Sequence, residues 1–236
     1  MQRSAKLAMV ACVVVIVGGG LAFWFFVLRD TAPPKASLSA VGGGSATTAR
    51  SGATGSTPSS PDGTWTVAQG NEVFVGYRIQ ELFGGETVKK EAAGRTPAVT
   101  GTMVVQGSTI PSATITADVT KLKSDRAQRD NAIKGQALET DRFGTATFTL
   151  TKPITLSSPP VVGERQSVQA TGDLTLHGVT KPVTLTLQAE WKGDTIAVAG
   201  SAPVALADFG ITPISTGFVA VDDQGELELQ LVFARA

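Results

Sequence analysis

From Trp65 to the C-terminus, apolar and polar positions alternate with a period of two, the mark of strands with one dry and one wet face. Val73, Val75, Tyr77 and Ile79 alternate with Phe74, Gly76 and Arg78. Ala113, Ile115, Ala117 and Val119 alternate with Thr114, Thr116, Asp118 and Thr120, and Ala146, Phe148 and Leu150 with Thr145, Thr147 and Thr149. The last run is the clearest: Leu227, Leu229, Leu231 and Phe233 face one way, while Glu226, Glu228 and Gln230 face the other, towards solvent. Threonine suits the polar side because it forms strands well without needing burial. About eight such runs, separated by Gly, Pro, Asn and Asp, predict an all-β antiparallel sandwich or barrel.

One segment departs from this period. Residues 125–139 open at Asp125 with Gln128 three positions on, a capping-box pattern, and place Ile133, Ala137 and Leu138 on one side. They predict a short amphipathic helix, weakened by Gly135, with its charges on a solvated outer face. Asp222-Asp223, followed by Gln224-Gly225, reads as a turn.

Ahead of the strands the pattern changes twice. Residues 7–28, LAMVACVVVIVGGGLAFWFFVL, carry no charge. As a helix they would span about 33 Å, enough for a bilayer core of about 30 Å. The run is long for a signal peptide, ends in Phe23, Trp24, Phe25 and Phe26, and has no small-residue cleavage pattern, so an uncleaved transmembrane signal anchor is expected. Arg3 and Lys6 precede it, which predicts a cytoplasmic tail at 1–6 and a single-pass chain in the cytoplasmic membrane with its C-terminal part outside. Residues 29–60, rich in Gly, Ser, Ala, Thr and Pro, predict a flexible tether, leaving 61–236 as one domain.

Charge and chemistry narrow the function. The 20 Lys+Arg balance the 20 Asp+Glu, but the first sixty residues hold five of the former and one of the latter. The domain is therefore mildly acidic and has no basic cluster, a poor match for nucleic acid. Cys12 is the only cysteine and lies within the apolar run, so the domain has no disulfide and no cysteine metal ligand. The only histidine, His177, falls at the end of a strand in TGDLTLHGVTKPVTLTL, residues 171–187, where Gly178 to Pro182 read as the link of a hairpin. It has no nucleophile or co-ligand in the pattern and is read as structural, on a polar face where substitution changes little. Asp208-Phe209-Gly210 lacks the nucleotide loop that would give it a magnesium to hold. No cofactor or catalytic residue is expected, and the chain is read as a binding protein rather than an enzyme.

The residues also resemble a known family. The hairpin at 171–187, the helix start SDRAQRDNAIKG at 124–135 with its Arg129-Asp130 pair, the strand ATFTL at 146–150 and the segment ADFGI at 207–211 are similar to the YceI-like, lipocalin-like lipid-binding proteins. The resemblance covers 64–234. It departs at Phe143-Gly144, where the family has an aromatic-proline pair, in a seemingly longer loop at 84–98, and in the anchor and tether. It implies an extended eight-stranded antiparallel barrel, monomeric, holding an isoprenoid or other long apolar lipid in its lumen. The alternation then supplies the lining candidates: Val75, Tyr77, Ile115, Phe148, Leu174, Leu176, Leu185, Leu187, Leu229 and Leu231. None is charged, so a polar lipid head is expected at the mouth. The alternative is a structural or protein-binding domain of the cell envelope whose lumen is a filled core, since a barrel of about eight strands can be either.

Overall fold

Period-two segments this amphipathic must bury one face each, and here they do so by closing into a ring. The computed structural model describes residues 32–41 and 60–236; the expected cytoplasmic tail, membrane span and most of the expected tether lie outside the described residues. The strands are β1 (Gly63–Val67), β2 (Phe74–Phe83), β3 (Lys90–Thr96), β4 (Val99–Gln106), β5 (Thr109–Asp118), β6 (Thr145–Leu150), β7 (Ile154–Thr155), β8 (Arg165–Leu176), β9 (Val179–Trp191), β10 (Thr195–Ala205) and β11 (Val219–Arg235). They make eight staves, because three staves are interrupted. β1 and β2 follow each other along β11, pairing at Trp65↔Arg235 and Tyr77↔Leu227. β3 and β4 pair in turn with β2 and β1, and β6 and β7 both pair with β5. The sheet runs on through β8, β9 and β10 to β11 and closes on β1, antiparallel throughout. The pairing of β1 with both β4 and β11 closes the ring.

Local readings change in instructive ways. Of the expected loop at 84–98, Lys90–Thr96 is strand, and the turn is confined to 84–89. Asp222 and Asp223 lie not in a turn but in a bulge of β11 between Val221 and Gly225. The helix, α1 (Ala127–Ala132), is present, but its N-cap is Arg126 without a side-chain bond. Asp125 bonds Arg129 instead of capping, and Asp130 accepts from the Ser124 amide at 2.7 Å. After Ala132 the turn widens, with the Leu138 amide donating to Ile133 O at 2.8 Å.

The hairpin is tighter than the pattern suggests. Leu176 pairs directly with Val179, so the link is only His177-Gly178, with φ of 50° and 73°. Positive φ at both central residues is a type I′ turn, whose twist matches that of the strands. Gly178 is needed twice, since a Cβ there would also lie 2.5 Å from the Phe143 ring. His177 therefore stands off the polar strand face. Its Nδ1 lies 3.1 Å from Phe209 O, its Nε2 3.0 Å from Glu139 Oε2, and its ring packs edge-on against Phe143 at 4.8 Å. The histidine is structural, but it is a tie between three segments rather than a bystander.

The largest correction concerns residues 32–41, assigned above to a flexible tether. They lie as a strap across the outer surface of β10, β11, β2 and β3. Leu38, 1% exposed, and Val41 pack on Ala197 and Ala199 of β10. The Ala36 amide donates to Glu228 Oε2 at 3.2 Å and the Ser37 amide to Gln230 Oε1 at 3.1 Å. The carbonyls of Pro33 and Pro34 accept from Arg78 and Arg95. Beneath the strap Glu228 is not solvated but 1% exposed, held by Arg78 Nε at 2.9 Å and Arg95 Nε at 2.8 Å, with Arg78 also reaching Glu91 at 2.6 Å. Charges this deep are tolerable because both Glu228 oxygens and all three Arg78 guanidinium nitrogens find partners.

Candidate ligand cavity

The inner faces of the staves do not fill the barrel. Two cavities of about 130 and 150 Å³ occupy it, and Val75, Ala146, Leu174 and Leu227 line both. A single water needs only about 10–15 Å³, so each has room for more than one water. All ten lining candidates border the cavities. Ile115, Phe148, Leu185, Leu187, Leu229 and Leu231 line the first, Tyr77 and Leu176 the second, and Val75 and Leu174 both.

Small residues keep the space open. Ala113, Ala117, Ala146, Ala170 and Ala189 also line the first cavity, where larger side chains would meet across the lumen. Two aromatic rings are drawn back against the wall by glycines. A Cβ on Gly172 would lie 2.5 Å from the Phe148 ring, and one on Gly94 would lie 2.4 Å from the Tyr77 ring. Those close approaches exist only because neither glycine has a side chain. Sequence reading selects the large apolar residues and passes over these alanines, which decide the volume.

The ends differ. Pro61, Pro160, Glu164 and Gln166 border the first cavity. The second is bordered by Ile133, Ala137 and Leu138 from the helix region and by Thr212, Pro213 and Ile214. It also carries the lumen's charged pair, in which Arg129 Nε and Nη2 each donate to one Glu81 oxygen at 2.8 Å. Burial opposes the Arg129 charge, but Glu81 more than offsets this and raises its pKa above the ordinary value. Arg129 is thus no part of a solvated helix face. The signal for Glu81 was available, since it continues the inward parity of Val75, Tyr77 and Ile79 along β2. Near the pair, the Tyr77 hydroxyl is buried without a hydrogen-bond partner, and that burial pushes its pKa up.

The arrangement suits an elongated apolar guest. His177 borders neither cavity. Among the described residues, no three His, Cys, Asp or Glu side chains gather as a metal site requires. Glu81 is committed to Arg129 rather than poised beside a nucleophile.

A closed antiparallel barrel around an apolar cavity defines a lipocalin-like binding fold. The YceI-like domain model matches residues 65–233, and the chain belongs to that family. It is 35% identical over 109 residues to a UPF0312 protein of Vibrio vulnificus (strain YJ016), a match covering 43% of this chain and 54% of the relative. It is 33% identical over 123 residues to a UPF0312 protein of Vibrio parahaemolyticus, covering 48% and 60%. The matches thus span little more than half the length of these relatives. Among solved structures, a polyisoprenoid binding domain from Saccharophagus degradans, implicated in plant cell wall breakdown, superposes with a TM-score of 0.55 at 15% identity. That likeness covers 73% of this chain and 98% of the other, and it concerns the fold.

Proposed function

We propose that the barrel binds a long apolar lipid, of the isoprenoid class, in its lumen, and so carries or sequesters it. The observation that carries this reading is the pair of apolar cavities inside the barrel, neighbours that share Val75, Ala146, Leu174 and Leu227 in their walls. Each buried CH₂ of a guest contributes roughly 0.8 kcal/mol before ordering costs, so a chain of a few isoprene units suffices for tight binding. The likeness of its fold to a polyisoprenoid binding domain supports the ligand class. Glu81 answers the Arg129 charge, and Glu91 and Glu228 that of Arg78, so among the described residues neither arginine of the second cavity is left for an anionic head, and the head group belongs at a mouth. We read the chain as a binding protein rather than an enzyme, held at the outer side of the cytoplasmic membrane. The support for that placement is the uncharged run at 7–28 with Arg3 and Lys6 before it.

The test is direct. The full chain, purified and extracted with solvent, should release one long-chain lipid per barrel, identified by mass spectrometry. Ala113→Phe places a ring into the first cavity from a position facing open space, so the fold should persist while the lipid is lost. A lipid-free parent, or a variant that retains the full complement, would overturn the reading.

A further inference from the structure

Among the described residues, four large hydrophobic side chains stand exposed: Val88 at 71%, Phe218 at 55%, Val161 at 50% and Val162 at 48%. Isolated apolar residues on a surface need no explanation. These are not scattered, however. All four lie in loops between strands, and none is on the barrel wall.

Val88 and Phe218 share one end. The Gly84 amide donates to Phe218 O at 2.7 Å, and Lys89 pairs with Asp222 at 2.8 Å, tying the β2–β3 turn beside the loop that carries Phe218. That loop begins in the lumen wall. Ile214 and Val221, joined by an amide-to-carbonyl bond of 3.1 Å, both line the second cavity, and Phe218 is at the tip between them. Phe218 packs edge-on at 5.9 Å against buried Phe83, over which lie Lys90 at 5.8 Å and Arg126 at 5.2 Å. An apolar tip at a cavity mouth, beside the long side chains of Lys90 and Arg126 (paired with Glu86 at 3.0 Å and Asp125 at 3.7 Å), has the composition of a membrane-interface anchor.

We propose that this end is a membrane-docking portal: Phe218 and Val88 enter the outer layer of a phospholipid bilayer, and lipid passes between bilayer and second cavity beside them. A bilayer fits better than a protein partner. Two side chains on two loop tips offer far less than the roughly 800 Å² that each side of a stable protein interface buries. Val161 and Val162, at the other end, adjoin Glu164, whose amide donates to Val161 O at 3.1 Å. What passes through the portal rests on the lipid-binding reading; the docking does not.

Two measurements test this separately. The full chain is reconstituted in phosphatidylcholine vesicles whose acyl chains carry bromine, which quenches tryptophan on contact. Phe218→Trp should add a strongly quenched component to the parent emission, while Val162→Trp should add an unquenched one. An unquenched Phe218→Trp, or equal quenching at both ends, overturns the docking. In the second measurement, vesicles deliver diphenylhexatriene to the lumen. Its arrival is read as the energy transfer that Trp191→Phe removes, because Trp191 lines the first cavity. Val88→Asp combined with Phe218→Asp should slow entry at least fivefold without changing uptake at equilibrium, and Val88→Asp alone should slow it less. Unchanged entry overturns the portal. No uptake by the parent even at equilibrium overturns the lumen reading instead, and with it the passage of lipid, while bromine quenching still decides the docking.

Discussion

His177 holds its turn with both ring nitrogens, and both partners, Phe209 O and the Glu139 carboxylate, are acceptors. Its backbone sits at positive φ, where most side chains are strained but Asn is tolerated. His177→Ala should therefore cost about 1–2 kcal/mol, from the lost ring contacts with Phe209 O, Glu139 and Phe143, and His177→Asn should cost less. Urea denaturation of the three proteins checks this; an alanine variant as stable as the parent would show the tie to be idle. The sequence places the residue at the end of a strand, where a hairpin link begins. Its role as a tie was hidden, since Phe209 and Glu139 are 32 and 38 positions away and nothing in a period of two connects them.

The strap shows what a hydrophobic pattern cannot report about an element. Residues 32–41 bond mainly through backbone groups and bury one large side chain deeply, so their composition is that of a tether. On the other side, Glu228 and Gln230 alternate with leucines just as solvated residues would. Removing Leu38 from its site tests the element. Leu38→Asp should lower stability by about 2–3 kcal/mol, a loss capped by the docking free energy of the strap, since it can simply lift off. Acid should act in the same direction. Burial raises the Glu226 pKa, but Lys35 and Ser201 outweigh it and hold the group below its ordinary value of 4.5. A carboxylate lowered in the folded state contributes its stability above that value and loses it as pH falls through the folded pKa. Strap protection by hydrogen exchange should then be level from pH 7 to about 5 and decline below about 4.5. Protection that is already falling near neutrality would place the responsible group elsewhere.

For the molecule as a whole, the closed all-β architecture was readable because alternation, turn residues and a dry face agree over nearly every strand. The openness of its lumen was not. It depends on alanines and on Gly94 and Gly172, residues that a hydrophobic pattern counts as weak or silent, and on the way two aromatic rings lie back over them. The strap has a further consequence at this scale. Because 32–41 is docked and the chain is taken up again at Ser60, the eighteen residues 42–59 join two segments of one body. A protease that cuts anywhere among them does not release what lies before residue 32. After nicking, the two fragments should elute as one species and separate only when Leu38→Asp or acid loosens the strap. Parting of the parent's fragments at neutral pH would refute this. For a cut between residues 42 and 59, parting of the fragments then takes a second event, the undocking of the strap.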